Sequence, residues 1–379
     1  MTEQFQEWLA SWQVRQGRLP NPLDSRDAVV LAGAGKVGHE FLDALRASAV
    51  PVVAFADNNP AKWGQTVAGL PVLSAAEAVS RFGRDATFII TIGRVGSGVD
   101  EIRAQFSSLG ARTVMHFTEA IRIVPRIWPQ FFLAPDRFEA ADLERCLAAY
   151  RLFRDDQSKA LFLSHLRWRA TLDPVALPRP DYDDQYFPPG IIAPRHCAAF
   201  VDVGAFTGDT LTDLSRFAGD ALRAYYGFEP DAKSYETLVA RASDVSRSSN
   251  VHVVTKRVAI GATRQMVSFA GLGAATSQVN SEGSEQVECA PLDSMGVVAP
   301  TYVKIDVEGA EAEVLAGAAG TLGRWKPTVA IASYHRPKDL FDLPLWLAAV
   351  APDYRFYLRS HGDAGIDLVC YAVREPAAV

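Results

Sequence analysis

The sequence predicts an α/β protein of two Rossmann-like domains joined by a helical linker, the second sheet ending in an antiparallel hairpin. Three observations predict it. Twice, a short apolar run passes into a glycine-rich turn and then a helix-period segment: Ala28 to Ala32 before Gly33-Ala34-Gly35-Lys36-Val37-Gly38, and Ala199 to Val203 before Gly204-Ala205-Phe206-Thr207-Gly208. Each turn is followed, one strand later, by an acid, Asp57 and Glu229. Strands and helices then keep alternating on either side of a middle region where prolines and aromatics replace that rhythm.

Composition limits what such a chain can do. Its 379 residues suffice for two domains, each with its own core. Hydrophobic residues make up 49% and mean hydropathy is +0.02, as in a globular protein. Formal charge is −6 with no basic cluster, so a nucleic-acid partner has no electrostatic footprint. No apolar run approaches the ~18 residues of a membrane span. Cys146, Cys197, Cys289 and Cys370 are scattered without ligand spacing, which fits reduced thiols in a cytoplasmic protein. The first sixteen residues lack a charged-then-apolar signal layout; Phe5, Trp8, Leu9 and Trp12 fall on one face of a helix expected to dock on its own domain.

The first domain, residues 1–122, opens with the strand ending at Ala32. Gly33, Gly35 and Gly38 form a Gly-x-Gly-x-x-Gly turn, and the helix from His39 to Ala47 turns Phe41, Leu42 and Leu45 inward. A strand from Pro51 to Ala56 ends at Asp57, placed to accept ribose hydroxyls. Strands from Phe88 to Gly93 and Thr113 to His116, with a helix from Arg103 to Gly110 between them, bring the count to four. The stretch FADNNPAKWGQTVAGLPVLSAAEAV resembles the Rossmann-like N-terminal domains of sugar acyltransferases and polysaccharide-biosynthesis proteins. That resemblance implies a nucleotide or nucleotide-sugar site; the fingerprint alone suits NAD(P) equally, and a scaffold or dimerisation module remains the alternative. A homo-oligomer is left open. No hydride-transfer site is evident.

Residues 123–190 form the linker. Prolines 125, 129 and 135 interrupt IVPRIWPQFF, and Ala140 to Thr171 reads as one or two helices. Leu143, Leu147, Tyr150 and Phe153, then Leu161, Phe162, His165, Leu166 and Trp168, recur at helical spacing and read as core. The proline-rich run 173–189 is either a connector or a cap over an acceptor pocket, with Tyr182, Tyr186 and Phe187 as its contacts.

The second domain, 191–379, repeats the pattern. The strand Ala199 to Val203 precedes a helix from Gly208 to Phe217; Ala224 to Phe228 precedes one from Asp231, its N-cap. Val251 to Ile260 is a third strand. Met266 to Ala270 and Gln286 to Cys289 form a hairpin around a mobile Gly/Ser-rich loop, 271–284. Thr301 to Asp306, a helix from Gly309 to Gly317, and a strand from Pro327 to Ser333 come next. Tyr354 to Leu358 and Leu368 to Val373 close the sheet.

Three motifs in this order, VDVGAFTGDT, GFEPD and VKIDVEGAEAEVL, resemble the FkbM-type methyltransferase family over about the last half of the chain. The resemblance implies a class I methyltransferase sheet that uses S-adenosylmethionine (SAM). The donor then lies at the carboxyl ends of the strands, with Asp202, Gly204, Ala205, Phe206, Gly208 and Thr210 around it and Glu229 on its ribose. An alcohol acceptor must lose a proton. Asp306, His335 and His361 stand at strand ends or turns where they could assist, and His335 has the natural pKa of a general base. Catechol-type methyltransferases place a Mg²⁺ ligand where Asp306 stands, but their acidic pair on the next strand is replaced here by Ser333-Tyr334-His335, so no metal ligand is assigned and Mg²⁺ is not expected. Glu308, Glu311 and Glu313 read as complements of a helix dipole, and Lys304 as a structural partner of one of them. The whole reading is an O-methyltransferase acting on a small-molecule or saccharide hydroxyl. A regulatory two-domain nucleotide binder and an NAD-linked enzyme are the alternatives.

Overall fold

The computed structural model describes residues 28–92, 98–120, 140–171, 177–270, 278–279, 285–362 and 365–374. The N-terminal helix with Phe5, Trp8, Leu9 and Trp12, the end of the strand at Gly93, the prolines at 125, 129 and 135, residues 173–176 of the proline-rich run, and most of the loop 271–284 lie outside the described residues. The chain divides into two compact units. Met1–Arg137, Leu163–Arg179 and Gly362–Gly365 form the first; Phe138–Phe162, Pro180–His361 and Ile366–Val379 form the second.

In the first unit β1 (Ala28–Ala32), α1 (Lys36–Ala47), β2 (Val52–Ala56), β3 (Thr66–Val67), β4 (Leu70–Leu73), α2 (Ala75–Phe82), β5 (Ala86–Ile90), α3 (Val99–Ser108), β6 (Thr113–His116) and α4 (Phe117–Ala120) follow in order. Their sheet runs β3-β4-β2-β1-β5-β6, parallel except for β3 against β4. Alternate residues of β1 enter different cores. Val29 and Leu31 meet Phe41, Leu42 and Leu45 of α1, while Val30 and Ala32 meet Ala78 and Val79 of α2 and Phe106 of α3. Burial on both faces explains why this strand reads as continuous apolar sequence rather than alternation. Each such large side chain contributes ~1.5–3 kcal/mol of transfer free energy. Six strands stand where the turn pattern marked four, because Gly64 and Gly69, both at positive φ, fold the chain between α1's unit and α2 into the short β3–β4 pair.

The helix α5 (Ala140–Leu152) belongs to the second unit, and α6 (Asp156–Thr171) passes from the second to the first at Phe162. Then come β7 (Ala199–Val203), α7 (Asp209–Ala218), β8 (Ala224–Phe228), α8 (Ala232–Ser248), β9 (His252–Lys256), β10 (Ala259–Ile260), β11 (Gln265–Ala270), β12 (Gln278–Val279), β13 (Glu285–Ala290), β14 (Tyr302–Ile305), α9 (Glu311–Gly317), α10 (Ala319–Trp325), β15 (Thr328–Ala332), α11 (Asp339–Val350), β16 (Arg355–Ser360) and β17 (Leu368–Val373). The main sheet runs β16-β17-β15-β14-β7-β8-β9. Only β17 runs against the rest: it inserts between β15 and β16, pairing antiparallel with both. One face is aromatic, with Phe200 stacked on Tyr302 at 4.7 Å between centroids and Phe187 on Phe217 at 4.9 Å.

Two differences from the sequence reading matter. The run from Val251 to Ile260 is not one strand. It leaves the main sheet after Lys256, and β10 joins β13 in a separate sheet ordered β10-β13-β11-β12. α11 was not expected at all: Pro344 lies inside it, and its near-uniform apolarity hides the helical period.

Candidate active site

A cleft of about 260 Å³ opens at the carboxyl ends of β7, β8 and β14. In the sheet order this is where chain direction across the sheet reverses, the position at which open α/β sheets hold ligands. The turn after β7 explains its shape. Gly204 has φ +78°, and a Cβ there would sit 1.8 Å from the Asp306 carbonyl oxygen, so only glycine lets β7 and β14 end side by side. The Gly204 and Ala205 amides donate to the Phe228 carbonyl. Phe206, also at positive φ, turns its amide toward Glu229 Oε2 at 2.8 Å. Gly208 is the N-cap of α7 and offers no side chain, so that helix's first amides are uncapped beside the cleft-lining Asp209 and Thr210.

Glu229 stands at the end of β8 and accepts a second hydrogen bond from the Asp231 amide at 2.8 Å. Burial raises its pKa to about 7 against the pull of those two amides. Asp231 itself caps α8 through the Ser234 amide. Phe228, Val258, Ala259 and Ile260 supply an apolar wall.

Asp202 is not in the lining. Fully buried, it pairs with Lys304 Nζ at 3.1 Å and accepts from the Tyr225 hydroxyl at 2.9 Å. Lys304 therefore partners Asp202 rather than an acid of the following helix, and its ammonium also donates to the Gly204 carbonyl. Burial works against that charge, but the Asp202 carboxylate outweighs it and keeps Lys304 protonated. Asp202 thus braces the turn from beneath. Ala205 and Gly208 also shape it without lining the cleft.

At the other end, Asp306, Glu308, Tyr186, Tyr334 and Asp367 line the cleft. Glu308 was expected in a helix, yet α9 begins only at Glu311; Glu308 and Gly309 both take positive φ, which turns the Glu308 side chain into the site. The loop is wound on the buried Glu311 carboxylate, whose Oε1 accepts from the Val307 and Gly309 amides. The same oxygen meets His335 Nδ1 at 2.8 Å. His335 Nε2 then lies 3.7 Å from Asp306 Oδ1 and 3.6 Å from Glu308 Oε2. Burial lowers the His335 pKa, but Glu311, Asp306 and Glu308 together lift it to about 10. The three carboxylates around it thus favour the protonated ring, which works against the neutral base expected from the sequence. Burial raises Glu308 to about 7, and burial with the Asp306 charge raises Asp367 to about 6.

His361 is not brought to the cleft. Its Nδ1 faces the Asp181 and Asp183 carbonyls at 2.8 and 3.1 Å and its Nε2 the Tyr371 hydroxyl at 2.9 Å, so it fastens the segment before Tyr186 to the terminal hairpin. Of the three capping aromatics only Tyr186 lines the site, donating to Asp306 Oδ2 at 2.7 Å. Phe187 enters the core and Tyr182 is not among the lining residues.

In the first unit the glycine turn forms as its spacing implies. A Cβ on Gly38 would sit 2.1 Å from the Gly33 carbonyl oxygen, and Gly33 has φ +129°, whereas Gly35 has open space. Asp57 reaches the turn, accepting from the Ala34 amide at 2.9 Å, but the same Oδ2 also pairs with Lys62 at 2.8 Å.

Residues 202–363 match the family described as Methyltransferase FkbM domain. Among solved structures, Methyltransferase FkbM from Methylobacillus flagellatus KT overlays 97% of this chain and 98% of its own, with TM-score 0.79 and 22% identity. Partial overlaps occur with Aeropyrum pernix fibrillarin in complex with S-adenosyl-L-methionine (TM-score 0.29, 14% identity, 48% of this chain and 70% of that one) and a SAM dependent methyltransferase from Aquifex aeolicus (0.29, 13%, 50% and 90%). No curated protein matches the chain. Apart from Gln185, Tyr186 and Asp367, the residues that line the cleft thus lie within 202–363, the stretch that matches the Methyltransferase FkbM domain.

Proposed function

We propose that the protein is a SAM-dependent O-methyltransferase acting on a hydroxyl of a small molecule or glycan precursor. The observation that carries this reading is Glu229, a buried carboxylate at a strand end, tied to the amide of Phe206 within a glycine turn. The surrounding residues fit the donor. Glu229 meets two ribose hydroxyls, the apolar wall of Phe228 and Val258 to Ile260 takes the adenine, and the uncapped start of α7 receives the carboxylate. SAM, when bound, supplies a methyl group on a positively charged sulfur. The chain's task is alignment, which supplies up to roughly 7–11 kcal/mol. Tyr186 and Asp306, hydrogen-bonded to each other where they line the cleft, would hold the acceptor hydroxyl for an in-line transfer. The methyl would pass to the acceptor oxygen with the carbon–sulfur electron pair left on sulfur, and a cleft carboxylate would take the hydroxyl proton. Asp306, Glu308 and Asp367 give this end a negative field that favours a neutral polyol over a phosphorylated acceptor.

Calorimetry with SAM tests the reading. Saturable binding is expected, weakened about tenfold or more in Glu229→Ala, in line with ~1.5–3 kcal/mol for hydrogen bonds to a charged group. Absence of binding, or binding indifferent to Glu229→Ala, overturns it. For the first unit the reading adds a nucleotide or nucleotide-sugar on the Gly33–Gly38 turn, with Lys62 moving from Asp57 to the ligand's phosphate.

A further inference from the structure

We infer that Asp306, Glu308 and His335 form a site for one divalent cation that binds the acceptor's hydroxyl. One ligand atom from each residue lies within 4.8 Å of the other two. This departs from the expectation of no metal, which rested on a missing acidic pair after β15; the ligands come instead from the loop after β14 and a histidine.

Three features point beyond an ion-paired cluster. The first is spacing. His335 Nε2 stands 3.7 and 3.6 Å from the two carboxylates, beyond hydrogen-bond length, whereas its Nδ1 makes a 2.8 Å bond to Glu311. Ligand atoms about 2.1 Å from a shared ion sit about 3.0–3.5 Å apart, so the ring nitrogen is within a few tenths of an ångström of ligand spacing from each carboxylate. The second is the supporting shell. Fully buried Glu311 fixes one ring nitrogen and aims the other, the carboxylate–histidine arrangement that orients metal ligands. Tyr186 holds the second oxygen of Asp306, leaving Oδ1 to face the ring. The third is access. Asp306 and Glu308 line the cleft while His335 lies behind them, so an ion seated among the three has protein on one side and open positions toward the acceptor.

One imidazole nitrogen and two carboxylate oxygens suit Mn²⁺ better than Mg²⁺, which prefers oxygen-only sets. Acting as a Lewis acid, the ion would lower the pKa of the bound hydroxyl, whose proton would pass to Asp367, the cleft carboxylate outside the ligand set. Open positions on the ion favour an acceptor with a second oxygen beside the reacting one, such as a vicinal diol. This role rests on the methyl-transfer reading; the site does not.

The test uses the full chain after treatment with EDTA, titrated with Mn²⁺ and followed by the resonance signal of the free ion. One saturable site is expected, with affinity falling at least tenfold in Glu308→Gln and about 10- to 100-fold in Glu311→Gln. His335→Gln should behave like Glu308→Gln. Because His335 is buried, the partly exposed Glu308 variant decides, its fold checked by thermal melting. No saturable Mn²⁺ binding, or binding unchanged in Glu308→Gln, overturns the inference. A parallel SAM titration separates the two readings: Mn²⁺ binding without SAM binding keeps the site and sinks methyl transfer, and the reverse sinks only the site.

Discussion

If Glu229 holds the donor's ribose, as proposed, its raised pKa makes ligand binding depend on pH. Burial holds its folded pKa near 7, above the ordinary 4.5. A raised carboxyl stabilises the folded chain below pH 4.5, and that contribution is lost as pH rises through about 7. Ribose binding runs the other way, because hydroxyl donors need the ionised form. SAM affinity should therefore rise from pH 6 to pH 8, by about tenfold, as the ionised fraction grows from about a tenth to nearly all. Calorimetry at three pH values in wild type and Glu229→Gln checks it; an equal slope in both would remove Glu229 from the account. Its place in the cleft was legible in the sequence because it stands at a strand end one βα unit after a glycine turn. Glu308 was not, since nothing local shows that the chain delays its helix until Glu311 and takes positive φ at residue 308. The upward shift of His335 was equally hidden, being set by Glu311, Asp306 and Glu308 through space rather than by its neighbours in sequence.

The elements of both sheets were legible wherever an apolar strand met a glycine turn. They were illegible where a proline sat inside a helix, as in α11, or where one β-rich run served two sheets, as in β9 and β10. Packing between elements adds a constraint invisible to pattern. A Cβ on Gly317 of α9 would sit 2.0 Å from the Gly261 carbonyl oxygen, just past β10, so the helix lies directly on that backbone. Gly323 of α10 is also helical, but its nearest atom is 4.0 Å away. Gly317→Ala should destabilise the chain by about 1–3 kcal/mol, as overpacking does, and displace the loop that carries Glu308. Gly323→Ala should stabilise by roughly 0.5–1 kcal/mol through helix propensity. Urea midpoints of the two variants, at unchanged slope, compare the effects; a tolerated Gly317→Ala would mean α9 is free to shift.

Each of the two units has its own buried clusters, and every residue of the cleft belongs to the second. Units with separate cores unfold as separate cooperative blocks unless the coupling between them exceeds the stability of the weaker one. Scanning calorimetry should then resolve two transitions. SAM at a hundred times its dissociation constant adds about 2.7 kcal/mol to whichever block holds it, which moves a transition of a 150–250-residue block by several degrees. Only the transition of the second unit should move. A nucleotide that occupies the Gly33–Gly38 turn should move the other, and Asp57→Ala should abolish that shift while leaving the SAM effect intact. Glu229→Ala should do the converse. A single transition displaced equally by both ligands would show the chain melting as one block, and the assignment of each ligand to its own unit would have to rest on the two variants alone.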